Sequence, residues 1–381
     1  MSCYILSKNL QTTLLSLFLF QSIIAAQVES IDQNAVTSLT VSKKTTSSMS
    51  LTWNEPLGNR SYFTVNWTGG SVNISSNTSN TSYTVTGLTA GVNYTFTVTA
   101  VAADGTTGTP TQISAFTKPN AVTNLTVSNI NTSSVSLTWN EPPGNRSYFT
   151  VNCTGGSVNN SSNTSNTSYT VTGLTAGVNY TFTVTAVAAD GQTAGAPTQT
   201  SAFSKPNAVT NLTVSNINTS SVCLTWNDPL GNRSYFTVNW TGDSVNNSSN
   251  TSNTSYTVTG LTAGVNYTFT VTAVAADGQT AGAPTQTSVF TKPDSAGDLS
   301  VTEITPSSLF LNWTEPIGER SFFKVQWTND SITLNSTTSN IFFNITDLNP
   351  GVNYTILISA VAADNITEGE AVGLPVYTSM I

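Results

Sequence analysis

The feature that most constrains this chain is a tryptophan that returns at nearly constant spacing. Trp53, Trp139, Trp226 and Trp313 are separated by 86, 87 and 87 residues. Self-similarity at a fixed period indicates tandem structural units. The sequence therefore predicts four units with Lys-Pro pairs at the joints between them, covering residues 35–119, 120–206, 207–293 and 294–381.

Within each unit the apolar residues alternate with polar ones. Met49, Leu51 and Trp53 show this period of two, and so do Phe63 and Val65. Alternation predicts strands with one buried face, and no window has a helical period. Turn residues separate the strands, so we predict an all-β fold with a seven-stranded antiparallel sandwich in each unit. We expect two sets of aromatic residues in the cores, namely Trp53, Trp139, Trp226 and Trp313, and Tyr94, Tyr180, Tyr267 and Tyr354.

Residues 1–26 have the pattern of a secretory signal peptide. A short head with Lys8 precedes the apolar run Leu14–Leu19, and small residues follow at Ala25 and Ala26. The apolar part is shorter than the ~20 residues that a spanning helix needs. We therefore predict removal of this segment, with retention as an N-terminal anchor as the alternative. No later run is long enough to span, so we expect a protein that is secreted or lies on the extracellular face of the plasma membrane.

The composition excludes several kinds of chemistry. The 381 residues include no histidine, which excludes Ser-His-Asp and Cys-His nucleophiles and His-ligated metals. There are 11 Lys and Arg against 19 Asp and Glu, a net charge of -8, and this opposes binding to nucleic acid. Carboxylates are scattered singly, so no calcium site is predicted. We expect no catalytic activity, no cofactor and no metal.

Two cysteines remain after removal of the signal peptide. Cys153 occupies the place of Trp67, Trp240 and Trp327, and Cys223 occupies that of Ser50 and Ser136 on the outward side of its strand. The two belong to different units, and a disulfide needs Cα atoms within ~7 Å. We predict two unpaired thiols, with intermolecular pairing or a bridge as alternatives.

Asn-x-Ser/Thr sequons occur about thirty times. In an exported chain each is a potential acceptor of an N-linked glycan, although a composition rich in Asn, Ser and Thr also produces sequons by chance. Those between inward-facing residues of a strand belong to the outer face. Our candidates are Asn66, Asn93, Asn124, Asn152, Asn179, Asn211, Asn239, Asn266, Asn312, Asn344 and Asn353.

Two recurring polar groups could face a partner. The first is an arginine that follows a Pro-Gly turn in each unit, namely Arg60, Arg146, Arg233 and Arg320. Packing of the arginine over an aromatic rim is the simpler role. Asp-Gly pairs recur at Asp104, Asp190 and Asp277, and this pair is typical of hairpin turns.

Three motifs follow one another in unit one, namely Leu51-x-Trp53-x-x-Pro56, Phe63-x-Val65-x-Trp67 and Leu88-x-x-Gly91-x-x-Tyr94. Their spacing resembles that of the fibronectin type III repeat. The resemblance implies that the hydroxyl of each corner tyrosine bonds to the backbone. The amino-acid sequence of the repeats, as in Ala121–Val127 and Ala186–Gly191, is similar to that of the ectodomains of receptor-type tyrosine phosphatases of the eta and H kind. The Cys, His and Arg signature of the phosphatase domain is absent from this sequence.

These observations favour an extracellular glycosylated module for adhesion or recognition, with an unidentified protein or glycan as its partner. Four sandwiches of roughly 30 Å in tandem would form a rod about 120 Å long. The alternatives are a mechanical spacer and an incomplete product of a transmembrane receptor phosphatase.

Overall fold

A computed structural model describes residues 35–329 and 331–381, so the predicted signal peptide lies outside the described residues. The described chain is all-β and contains no helix. In this part of the chain there is accordingly no helix that could cross a membrane.

Each unit contains seven strands, which we number in chain order. Unit one contains β1 Thr37–Lys44, β2 Ser48–Asn54, β3 Tyr62–Gly69, β4 Val72–Thr78, β5 Ser82–Thr86, β6 Asn93–Val101 and β7 Thr111–Phe116. Unit two contains β8 Thr123–Ser128, β9 Ser134–Asn140, β10 Tyr148–Gly155, β11 Val158–Thr164, β12 Ser168–Thr172, β13 Asn179–Val187 and β14 Thr198–Phe203.

The remaining units follow the same plan. Unit three contains β15 Thr210–Ser215, β16 Ser221–Asn227, β17 Tyr235–Gly242, β18 Val245–Thr251, β19 Ser255–Thr259, β20 Asn266–Val274 and β21 Thr285–Phe290. Unit four contains β22 Gly297–Ile304, β23 Leu309–Thr314, β24 Phe322–Thr328, β25 Thr333–Thr338, β26 Phe342–Ile345, β27 Asn353–Val361 and β28 Val372–Tyr377.

Two antiparallel sheets form each sandwich. In unit one a three-stranded sheet has the order β1-β2-β5, and a four-stranded sheet has the order β4-β3-β6-β7. The other units repeat both orders with their corresponding strands. The prediction of four tandem seven-stranded sandwiches is confirmed.

The core of each unit lies between its two sheets. Along β3 the side chains of Phe63, Val65 and Trp67 are buried, whereas Thr64 and Asn66 between them are only partly covered. This alternation follows from the pleat, which sends successive side chains to opposite faces. Four separate apolar clusters result, one in each unit.

Candidate functional site

The features that recur on the surface of the molecule are the joints between units and the outer faces of the sheets. At each joint two loops meet. The first is the corner, the loop before the sixth strand of a unit, which is residues 87–92 in unit one. The second is the docking turn, the loop after the second strand of the next unit, which is residues 141–147 in unit two.

One hydrogen bond is repeated at all three joints. The backbone N–H of Asn145 in the docking turn donates to the carbonyl oxygen of Ala90 in the corner, with the two atoms 2.9 Å apart. The same bond joins Asn232 to Ala176 at 2.8 Å and Glu319 to Ala263 at 2.9 Å. Consecutive units therefore meet through backbone groups in one recurring arrangement.

A glycine in each corner permits this close approach. Gly177 has a φ of 72°, and a Cβ there would lie 1.7 Å from the carbonyl oxygen of Asn232. Gly91 and Gly264 have equivalent surroundings, because a Cβ there would lie 1.6 Å from the carbonyl oxygen of Asn145 or Glu319, respectively. Gly351 of unit four has a similar φ of 67°, but its nearest such neighbour is Cγ of Met380 at 3.6 Å. The first three glycines are thus required both by backbone conformation and by contact with the next unit.

Each corner is also fastened to its own sandwich by a tyrosine. The hydroxyl of Tyr180 accepts a hydrogen bond from the backbone N–H of Thr175 at 2.8 Å. The same bond occurs from Thr89 to Tyr94, from Thr262 to Tyr267 and from Asn349 to Tyr354, at 3.0, 3.0 and 3.1 Å. All four tyrosines are buried. This is the geometry that the resemblance implied for these residues.

A second side chain, which sequence reasoning missed, secures the same corner. The hydroxyl of Ser204 accepts from the backbone N–H of Val178 at 3.2 Å and donates to the carbonyl oxygen of Thr175 at 2.6 Å. Thr117, Thr291 and Thr378 bond in the same way in the other units. The signal was present in the sequence, because Thr or Ser precedes the Lys-Pro pair at every joint.

The recurring arginines lie over aromatic rings beside the docking turns. The guanidinium carbon of Arg146 is 4.1 Å from the ring centroid of Phe149, and the ring of Trp139 meets that phenylalanine edge-on. Equivalent cation–π contacts of 4.0–4.3 Å occur in the other three units. Contact with a core phenylalanine thus explains why an arginine recurs at this position in each unit.

Each arginine also pairs with a carboxylate that the sequence analysis did not single out. Arg146 donates through Nε and Nη2 to Glu141, both at 2.7 Å. The hydrogen bond from Arg146 holds the pKa of Glu141 below its ordinary value, and Arg233 has the same effect on the pKa of Asp228. The spacing of five residues recurs in all four units and could have identified the pairs.

The predicted core tryptophans lie inside the sandwiches. Their exposed fractions are 3–4% in all four units. Within the described residues their indole Nε1 atoms have no hydrogen-bond partner. Each ring instead contacts a buried phenylalanine edge-on, at centroid distances of 5.2–5.3 Å. Such surroundings fit a packing role and leave none of these four rings free for a ligand.

The candidate glycan acceptors are all at least partly accessible. Those on the middle of a strand are half-buried, namely Asn66, Asn152, Asn239 and Asn312. Those at a strand end, at a bulge or on β26 are exposed, namely Asn93, Asn124, Asn179, Asn211, Asn266, Asn344 and Asn353. Three of the exposed acceptors, Asn93, Asn179 and Asn266, directly precede the corner tyrosines at the joints.

The remaining candidate groups lack the surroundings of a reactive site. Cys153 is buried, which raises the pKa of its thiol, and Cys223 is half-buried. Neither forms a disulfide in the described part of the chain. At Asp104 the carboxylate accepts from the backbone N–H and hydroxyl of Thr106, as expected of a turn. Residues 35–329 and 331–381 contain no group of three His, Cys, Asp or Glu placed to hold a metal.

The model of the fibronectin type III domain matches this sequence four times, over residues 34–117, 120–202, 207–290 and 292–372. The chain belongs to the fibronectin type III family. Each of its four fibronectin type III domains corresponds to one of the units described above.

Among curated proteins, the chain is similar to receptor phosphatases and to a tenascin. It is 39% identical to receptor-type tyrosine-protein phosphatase eta of Gallus gallus over 77% of this chain and 21% of that protein. It is 35% identical to receptor-type tyrosine-protein phosphatase H of Homo sapiens over 79% and 28%, respectively. For Tenascin-R of Homo sapiens the identity is 26% over 78% and 22%. The resemblance to receptor phosphatases of the eta and H kind is confirmed.

The chain spans only about a fifth to just over a quarter of the length of these relatives. The matches identify the chain with fibronectin type III domains, a non-catalytic domain type that these relatives also contain. The catalytic domains of the phosphatases lie outside the aligned portion.

Proposed function

We propose that this chain is a glycosylated extracellular segment that presents recognition surfaces at fixed spacing and has no catalytic activity of its own. Its partner would be a protein or glycan outside the cell or on a cell surface. The fold and the similarity to receptor phosphatases and Tenascin-R support an extracellular role. Accessible sequons on each domain support glycosylation in the secretory pathway.

The repeated joint carries the proposal. One backbone hydrogen bond and one glycine contact recur at the three joints, so each domain meets the next through the same loops. A backbone contact without a long linker restricts bending, and only six residues connect the last strand of each unit to the first strand of the next. Such a chain would hold its four outer surfaces at regular intervals along a rod about 120 Å long.

Small-angle X-ray scattering of the full chain tests this geometry. We expect a maximum dimension of about 120 Å for the protein. The double variant Gly177→Ala, Gly264→Ala would place methyl groups against the carbonyl oxygens of Asn232 and Glu319, and should give a broader distribution of shapes. Gly351→Ala is the matched control, because its φ is similar and no docking turn lies against it in the described residues. Equal scattering from both variants would contradict a contact-defined rod.

Secretion and recognition need separate measurements. The full chain, expressed in a eukaryotic secretory host, should appear in the medium with glycopeptides at several of the candidate acceptors. Fluorescently labelled protein should then bind to cells saturably, and excess unlabelled protein should compete. Retention in the cytosol without glycans would contradict the extracellular assignment, whereas secretion without saturable binding would favour a mechanical spacer.

A receptor phosphatase is the second candidate, favoured by the 39% and 35% identities to two such receptors. In that case the membrane span and catalytic domain would be encoded beyond this sequence. Sequencing the 3′ end of the transcript distinguishes the two. An open reading frame that continues into an apolar segment of ~20 residues supports the receptor, whereas an immediate stop codon supports the shorter form.

A further inference from the structure

The outer face of the three-stranded sheet differs between unit four and the other units. In unit one Ser50 lies opposite Thr84, and their hydroxyl oxygens are 3.0 Å apart. Ser136 and Thr170 make the same contact in unit two at 3.1 Å. Small hydroxyl side chains therefore cover this face in those units.

In unit four the same positions hold two phenylalanines and two asparagines. Phe310 lies opposite Asn344, and Phe342 lies opposite Asn312. The two rings meet diagonally across the strands and stack, with centroids 5.8 Å apart and planes inclined by 17°. Phe342 is 47% exposed, so its ring contributes to the surface that faces solvent. We call these four residues the aromatic patch.

Both asparagines of the aromatic patch belong to sequons. Asn312 is followed by Trp313 and Thr314, and Asn344 is followed by Ile345 and Thr346. Each acceptor has a phenylalanine two residues earlier on its own strand and the other phenylalanine directly opposite it. Side chains two apart in a strand share a face, so both acceptors stand next to aromatic rings on the solvent side.

We propose that the aromatic patch is a platform for the chain's own glycans, with the first sugar on Asn312 or Asn344 lying on the ring of a neighbouring phenylalanine. This inference rests on the glycosylation in the proposed function. The C–H bonds of a sugar ring carry partial positive charge, and the face of an aromatic ring is negative, so the two surfaces attract. Packing there also removes apolar ring surface from water.

The rings and the acceptors occur together, and this favours a glycan as the occupant. At the positions of Asn312 and Asn344, unit one has Thr52 and Thr84, and neither can accept an N-linked glycan. At the positions of the two phenylalanines, the same unit has Ser50 and Ser82. Rings and acceptors thus occur together in unit four and are both missing from unit one. Asn344 is exposed, and among the described residues the side chain of Asn312 is hydrogen-bonded only through its oxygen, which accepts from the Ser300 hydroxyl.

The test uses the full chain secreted from eukaryotic cells that make high-mannose glycans. Glycopeptide mass spectrometry first measures occupancy at Asn312 and Asn344. One portion is then treated with endoglycosidase H, which leaves a single sugar on each asparagine, and another with peptide N-glycosidase F, which removes all sugar. Backbone amide exchange is followed in peptides from β23 and β26.

We expect protein with the single sugar to exchange as slowly as the intact glycoprotein. Complete removal should accelerate exchange in β23 and β26 about fivefold, the effect of a contact as strong as an aromatic pair. The control is the double variant Phe310→Ser, Phe342→Ser, which has the side chains of unit one. In this variant the difference between the two enzyme treatments should disappear. Peptide N-glycosidase F also converts each glycosylated Asn to Asp, and comparing the variant with the unaltered chain cancels that effect because it occurs in both.

Three results would overturn the inference. The first is an equal enzyme effect with and without the phenylalanines, and the second is lack of sugar at both asparagines. The third is dimerisation of the intact glycoprotein through the aromatic patch, detected by light scattering and abolished by the double variant. Glycans found at the other candidate acceptors would leave the proposed function standing in each case, whereas their absence from the whole chain would count against both.

Discussion

Units two and three are nearly copies of each other, and they differ at one end of the core. Residues 120–135 and 207–222 are identical. In unit three Trp240 packs on Tyr256, with ring centroids 6.3 Å apart, and thereby connects the two sheets. Unit two has the thiol of Cys153 at this position, so Tyr169 lacks the corresponding aromatic neighbour.

The strand register is the same in both units despite this difference. Cys153 lies opposite Phe182 just as Trp240 lies opposite Phe269. The pairing of the strands is therefore set by residues that the units share. The aromatic contact between the sheets adds stability without changing the register. Register is specified wherever one face is buried, because a slip by one residue would turn the whole apolar set outward.

Replacing the core tryptophan of unit three by the cysteine found in unit two should have the largest effect. Trp240→Cys removes most of a buried indole, and we expect it to lower the free energy of unfolding of unit three by about 3 kcal/mol. Native-state hydrogen exchange with mass spectrometry of the full chain measures this, since peptides containing residues 153 and 240 differ in mass. Cys153→Ser, which removes the thiol of unit two, is the control for effects of the thiol group itself. A loss below about 0.5 kcal/mol in unit three would show that the aromatic contact is unimportant.

Removing the corner hydroxyl should have a smaller effect, equal in the two units. Tyr180→Phe and Tyr267→Phe each leave the N–H of a threonine without its acceptor, at a cost of about 1–2 kcal/mol. The two hydrogen bonds have similar lengths, 2.8 and 3.0 Å, so we expect the same loss in both units by hydrogen exchange. Clearly unequal losses would mean that the difference between Cys153 and Trp240 extends to the corner.

Acidification should have the smallest effect. The folded-state pKa values of Glu141 and Asp228 are lowered, first by the hydrogen bond from the partner arginine. The ion pairs therefore stabilise the fold above the unfolded-state pKa values, about 4.3 for Glu and 3.9 for Asp, and this support is lost as the pH falls through the folded-state values. Both carboxylates are about half exposed, so we expect less than about 1 kcal/mol from each pair.

Unfolding free energies of units two and three, measured between pH 6 and pH 2, would test this. The variants Glu141→Gln and Asp228→Asn should flatten the pH dependence of units two and three, respectively. Unchanged pH dependence in both variants would assign the acid sensitivity to other carboxylates, such as Asp190 and Asp277 in the turns.

The glycine of the corner shows where sequence reasoning stopped. The sequence shows that Gly91, Gly177 and Gly264 each stand three residues before a corner tyrosine. The carbonyl oxygen of the next unit that comes within reach of it was not visible, because the two loops are separated by more than fifty residues. The same limit applies to Phe310 and Phe342, which face each other only through the pairing of β23 with β26.

The sequence by itself determined the four units, their strands and the inward direction of the tryptophans, because these depend on a local period of two and on a repeat length. The tertiary structure alone decided how the units meet and that two rings stack beside two acceptors. Those features depend on which distant backbone segments approach each other, and a one-dimensional pattern does not contain that distance.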